Sequence, residues 1–255
     1  MISSHGEPPL KSSTSDAVAK FDASRANEYG RQSRIALAGY DACHELAACM
    51  LAASLGHRNT AKILVVGAGG TAQEIIAMAA LEPGWRFTAL DPCEPMLEVA
   101  RQQLDARGLL ARTDIHLGHI EDLAADATYD AATLVGVLHH LGGDDAKRRI
   151  LQSIEARLEP GAPLIVAGNH HAYASEPLLL AAWGQRWRQH GASADEVKVK
   201  LGKILQGADP PHSEAAVQKL LHEAGFGAAT RFFSSLFWGA WLTTKTASSG
   251  SPAGQ

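Results

Sequence analysis

The stretch AKILVVGAGGTAQEIIAMAALEPGWRFTALD, residues 61–91, decides the fold. Residues 63–66 are apolar and rich in β-branched side chains, which suits a strand buried on both faces. Gly67, Ala68, Gly69 and Gly70 follow, a turn with almost no side chains. Thr71 with Glu74 three residues later reads as a capping box that opens a helix. Ile75, Ile76, Met78, Ala79 and Leu81 give that helix an apolar side, and Pro83-Gly84 ends it. Residues 87–90 form a second strand with Asp91 at its carboxyl end. The physics is that of a nucleotide site: glycines let a ligand approach the backbone, the helix start offers unused N–H groups, and an acid accepts hydrogen bonds from ribose hydroxyls. The spacing Gly67-x-Gly69-x-x-Ala72 also passes as a loose dinucleotide fingerprint. A tight strand-to-helix turn can require glycine for packing alone. The rest of the chain has to separate these readings.

Its composition bounds them. The 255 residues, 46% hydrophobic and 20% charged, suit one α/β domain with attachments. A net charge of -4 and no Lys/Arg run give no reason to expect nucleic acid. Cys43, Cys49 and Cys93 are odd in number and lack CxxC spacing, as expected of thiols in a reducing cytoplasm. No run of about 18 apolar residues predicts a membrane span, and no apolar leader opens the chain.

Before the glycine turn, residues 17–29 and 41–55 read as helices; in the second, Cys43, Leu46, Ala47, Met50 and Leu51 recur at helical spacing. After Asp91 the chain alternates. Residues 94–107 are helical, 115–117 and 131–137 are strands, 144–158 is a helix, and Glu159-Pro160-Gly161 turns into a strand at 163–167. This rhythm demands a parallel, doubly wound sheet. Residues 169–211 break it with two helices, 178–187 and 195–205, a long excursion of the kind that forms lids. A helix at 213–224 then leads to strands at 226–233 and 237–244, joined by a Ser234-Ser235 turn into an antiparallel hairpin.

Six segments in this order resemble the class I S-adenosylmethionine (SAM) dependent methyltransferases: VVGAGG at 65–70, Asp91, GHIEDL at 118–123, LVGVLHHL at 134–141, RLEPGA at 157–162 and LHEAGF at 221–226. The layout looks closest to the branch containing carboxy-SAM synthase. The resemblance implies a seven-stranded Rossmann-like sheet ending in an antiparallel hairpin, with SAM as cofactor and S-adenosylhomocysteine as product. It implies that Gly67, Ala68 and Gly69 line the methionine and ribose side, that Asp91 takes the ribose hydroxyls, that Pro92 and Met96 lie along the adenine, that His119 and Ile120 cover its edge, and that Val135, Gly136 and Val137 pass beside the sulfonium. The family usually carries an acid two residues before the first glycine; here that residue is Val65.

The same resemblance puts His139 and His140 where the acceptor meets the methyl group, and histidine can take a proton near neutral pH. Asn169, His170 and His171, after the fifth strand, share that crevice; four histidines there raise a metal site as an alternative, but such sites usually use carboxylates in this chemistry and the two His-His pairs lack a standard zinc spacing, so no metal is expected. Tyr29, Arg31, Arg34 and Tyr40, between and within the first two helices, read either as a solvated face or as a cap on the substrate side. Trp183 and Trp187, one helical turn apart, read either as core or as an aromatic substrate wall.

The expected organisation is a tail at 1–15, a helical cap at 16–58, a SAM-binding domain at 59–246 with a lid at about 169–212, and a tail at 247–255. The expected function is methyl transfer from SAM to an O or N atom of a small molecule, in the cytoplasm, with no nucleic-acid or membrane partner; the exposed N-terminal helices offer a homodimer surface. The alternatives are a SAM-modifying enzyme of the carboxy-SAM synthase type and an NAD(P)-dependent oxidoreductase.

Overall fold

A computed structural model describes residues 23–56 and 58–247. The expected tails, Ala247 apart, and residues 17–22 of the first expected helix lie outside that range.

Seven strands form one sheet: β1 (Lys62–Val66), β2 (Arg86–Asp91), β3 (Thr113–Leu117), β4 (Ala131–Val135), β5 (Pro163–Asn169), β6 (Thr230–Ser235) and β7 (Trp238–Thr244), in the spatial order β3-β2-β1-β4-β5-β7-β6. The first five pair in parallel, and β7 runs antiparallel between β5 and β6. This is the expected doubly wound α/β sheet with its closing antiparallel hairpin.

Alternation along β1 shows why the strand reads as unbroken apolar sequence. Ile63 and Val65 pack with Leu51 of α2 (Tyr40–Leu55), Ile75 and Met78 of α3 (Gln73–Leu81) and Leu104 of α4 (Glu94–Asp105). Leu64 and Val66 pack on the other face with Leu151 and Ile154 of α5 (Gly143–Glu155) and Leu220 and Leu221 of α8 (Glu214–Glu223). Helices on both faces leave no polar side for the strand to present.

Three local expectations give way to tertiary structure. The first helix, α1, runs Ala23–Ala36, seven residues past the expected end at Tyr29. Its last carbonyls find partners in the segment after β5: Arg186 donates to Arg34 O and Ile35 O, and Trp183 Nε1 donates to Ala36 O at 2.8 Å. Satisfied carbonyls extend a helix that local propensity alone would end. The hairpin turn falls at Leu236-Phe237, not at Ser234-Ser235. Both serines pair within the ladder, and Leu236 takes the positive φ. The capping box at Thr71 and Glu74 is absent: Ala72 caps α3 in a left-handed conformation with no side-chain bond, and Glu74 is buried instead.

Between β5 and β6 lie α6 (Pro177–Gln189), α7 (Ala194–Gly207) and then α8. Ile35 of α1 joins Tyr173, Trp183, Trp187, Val197 and Phe237 in one apolar cluster. Thus α1, α6 and α7 meet above the carboxyl edge of the sheet. No single described helix is long and apolar enough to cross a membrane.

Candidate functional site

The chain leaves β1 toward β2 and β3 on one side, while β4 and β5 lie on the other. The switch point, where open α/β sheets bind ligands, is therefore between β1 and β4. The glycine turn lies there. Gly67 has φ 77°, and a Cβ on it would collide with the Val137 side chain of the loop after β4. A Cβ on Gly69 would stand 2.6 Å from Asp91 Oδ2. The two glycines let the β1–α3 turn lie directly against the ends of β4 and β2.

Asp91 is bound into this turn. Its Oδ2 accepts from Gly69 N–H at 3.0 Å and its Oδ1 from Cys93 N–H at 2.8 Å. Burial pushes its carboxyl upward, and these two hydrogen bonds oppose the shift. Each oxygen keeps a lone pair for further donors.

A cavity of about 680 Å³ opens over the switch point. Its floor is Gly67, Ala68, Gly69, Val135 and Gly136. At one end stand Tyr40, His44, Thr71 and Glu74; at the other, Tyr173, Trp183, Trp187 and Trp238, with Lys200 and Lys203 of α7. Burial raises Glu74 to about 8, and its Oε1 accepts from Thr133 Oγ1 at 3.4 Å. Tyr40 OH and Thr71 Oγ1 are 2.5 Å apart. Lys200 Nζ lies 4.6 Å from the Trp187 ring centroid, within cation–π range.

His139 and His140 both line the cavity, their rings 4.3 Å apart, and His139 meets the edge of Trp238 at 5.6 Å. Their segment is tied down through Asp209, just past α7. Asp209 N–H donates to His139 O at 2.8 Å, and its Oδ2 accepts from Gly143 N–H and from the buried Lys147 Nζ at 2.9 Å. Asn169 also faces the cavity; its Nδ2 donates to Tyr173 OH at 2.8 Å, while its buried Oδ1 has no partner among the described residues. Trp187 Nε1 is likewise buried and unpartnered there.

The expected site residues divide. Gly67, Ala68, Gly69, Val135, Gly136, His139, His140, Tyr29, Asn169 and Trp183 line the cavity. Asp91, Pro92, Met96, His119 and Ile120 lie outside its lining. Tyr29 packs on Cys93 and Met96, so α1 covers that side. Two substrate candidates are displaced. His170 turns away to bond Phe237 O and stack edgewise on Trp241, where burial and its neighbour His171 push it down to about 4. Arg34 pairs with Asp41 and covers the Tyr40 ring rather than reaching the cavity. Glu74, His44, Tyr173 and Trp238 were not among the expected site residues, whereas Tyr40, a candidate for the cap, does line the cavity. One signal was available for Glu74: a capping-box glutamate beside an otherwise apolar strand–turn–helix unit is also a glutamate positioned at a ligand crevice.

Comparison with known proteins bears on the fold. Residues 64–164 match the family model described as a methyltransferase domain. The likeness to a methyltransferase domain thus runs from β1 to the start of β5. No curated protein sequence matches the chain. Among solved structures it is similar to a candidate O-methyltransferase of Nostoc punctiforme, with 16% identity over 88% of this chain and 59% of that one and a TM-score of 0.62. It is similar to an O-methyltransferase family 2 protein of Planctomyces limnophilus solved with apigenin, with 15% identity, 90% and 65% coverage and a TM-score of 0.63. A third is CalO1, a methyltransferase of calicheamicin biosynthesis in its S-adenosylhomocysteine-bound form, with 19% identity, 79% and 54% coverage and a TM-score of 0.52. The chain therefore spans less than two thirds of the length of each of these three proteins. At these identities the likeness is one of fold.

Proposed function

We propose that the chain is a SAM-dependent methyltransferase acting on an O or N atom of a small, flat, aromatic acceptor. The observation that carries this reading is the Asp91 carboxylate held against the Gly69 N–H at the switch point, within a matched methyltransferase domain. The residues present fit the cofactor. Gly67 and Gly69 leave a cradle that any side chain would fill, and Asp91 offers lone pairs to a ribose diol.

When bound, SAM supplies an electrophilic methyl group. The chain's own task is mostly placement, because aligning two reactants at near-attack distance can remove about 7–11 kcal/mol of barrier. The turn Gly67–Gly69 and Asp91 would hold the cofactor, with Val135 and Gly136 beside the reacting centre. The acceptor would lie against Tyr173, Trp183, Trp187 and Trp238, its polar groups directed to Asn169 Oδ1 and Trp187 Nε1. His139 and His140 would receive the proton that a hydroxyl or amine loses on attack, a role worth about 10²–10⁴-fold in rate. Trp183 and Arg186, by capping α1, keep the roof closed and exclude water.

Neither alternative gains support. The antiparallel β7 inserted between β5 and β6 is foreign to the all-parallel dinucleotide-binding sheet, and no neighbour cited above is a carboxy-SAM synthase. The test is incubation with methyl-labelled SAM and a panel of phenols, flavonoids and aromatic amines. Label transfer with stoichiometric S-adenosylhomocysteine supports the reading; binding of SAM with no transfer to any acceptor would reduce the chain to a ligand-binding relative.

A further inference from the structure

Class I chains usually place an acid at the end of β1, and this chain has Val65 there. In the β1–β4 ladder Val65 is the partner of Thr133. Both face the α2–α3 side of the sheet: Val65 packs in that core, and the Thr133 hydroxyl reaches α3. The residue that hydroxyl meets is Glu74, from the first turn of α3. The helix thus brings a carboxyl to the spot beside the valine where the strand lacks one.

Glu74 is 6% exposed and lines the cavity. Around it stand Tyr29 from α1, Tyr40, Cys43 and His44 from α2, and Thr71 and Thr133. The tyrosines and the cysteine are neutral acids, held further toward neutrality by burial. Burial also keeps His44 uncharged, its Nδ1 directed to Tyr40 O. Among the described residues, no lysine or arginine forms an ion pair with Glu74. A carboxyl buried against a cavity with no cation of its own is costly for the fold. The cost is offset if a ligand brings the cation.

We infer that Glu74 binds the α-ammonium of the cofactor's amino-acid end, replacing from helix α3 the acid that strand β1 lacks. This rests on the methyltransferase reading and assigns the residue that recognises one group of its cofactor. It has a consequence for protons. With the cavity empty, burial keeps Glu74 protonated up to about 8. A seated ammonium favours the carboxylate, so Glu74 gives its proton to solvent while the ligand remains –NH3+. At pH 7, binding should release close to one proton, and affinity should rise from pH 6 to 8.

The test is calorimetric titration of the full chain at pH 7 with S-adenosylhomocysteine and with its desamino analogue, in which hydrogen replaces the ammonium. Each is run in phosphate and in Tris, whose different ionisation heats report proton release. For the wild type the expected preference for the amino ligand is about 10–100-fold, the worth of one charge-assisted hydrogen bond, accompanied by release of a proton. Glu74→Gln keeps the side-chain shape and removes the charge; it should bring the two ligands within about threefold, the analogue's own affinity being little changed, and abolish proton release. Retention of the full preference in Glu74→Gln, or its absence in the wild type, would overturn the inference while leaving the methyltransferase reading intact. Failure of the wild type to bind either ligand would overturn both.

Discussion

The floor and the roof of the cavity are built in different ways. The Gly67–Gly69 part of the floor, with Asp91 behind it outside the lining, comes from one contiguous strand–turn–helix–strand unit, and its contacts are backbone to carboxylate. The roof is assembled from α1, α6 and α7, which meet through side chains such as Trp183 and Arg186 reaching carbonyls about 150 residues away in sequence. A floor made of local geometry should tolerate changes in the roof. A roof made of long-range side-chain contacts should fail as a unit, and it should set which acceptor fits without setting whether the cofactor binds.

The sharpest way to break this comparison is Trp183→Ala. Trp183 is 2% exposed and caps α1, so its removal should cost about 3–5 kcal/mol of stability in urea denaturation. S-adenosylhomocysteine affinity under native conditions should fall much less than acceptor affinity. Equal losses of both would mean that floor and roof are one unit.

Next in size are the two histidines that line the cavity, His139 and His140. His139→Ala and His140→Ala, compared one at a time, should show at least one kcat reduced by about 10² or more. Cofactor affinity should stay within about threefold, as expected for a group that acts on the acceptor's proton. Unchanged kcat in both would leave them as packing residues.

The third effect is smaller and changes with pH. Unfolded, Glu74 ionises near 4.5; folded, it keeps its proton to about 8. Between these values the folded chain holds a proton that the unfolded chain has lost, so the residue destabilises the fold increasingly as pH rises through that window. Glu74→Gln should therefore raise the melting temperature at pH 8, by the equivalent of about 1–3 kcal/mol, and leave it nearly unchanged at pH 4.5. A gain that does not grow with pH would contradict the buried acid.

The floor was legible because its signals are local. Gly67 and Gly69 sit where a side chain would strike Val137 or Asp91, and Asp91 ends an apolar strand; each mark can be read within thirty residues. The sheet and its closing hairpin were legible for the same reason, since periodicity and turns are properties of neighbours. The roof was not. Residues 30–36 look too polar and glycine-broken to continue a helix, and they do so because Arg186 and Trp183 satisfy its end. His170 follows a parallel strand as a site residue would, yet its ring lies against Trp241. Glu74 was read as a capping residue because a glutamate at N3 ordinarily bonds the N-cap backbone. The competing partner, Thr133, lies 59 residues on, and only the strand pairing of Val65 with Thr133 brings it near.

The central claim is that the glycine turn and Asp91 form a SAM site. Titration calorimetry with S-adenosylhomocysteine, on the wild type and on Asp91→Ala, tests it most directly. The account predicts micromolar binding by the wild type and a loss of about 10–100-fold or more in the variant, the worth of hydrogen bonds to one carboxylate, with the variant's fold intact by circular dichroism. Wild-type affinity in a folded Asp91→Ala, or no binding by the wild type at all, would contradict it.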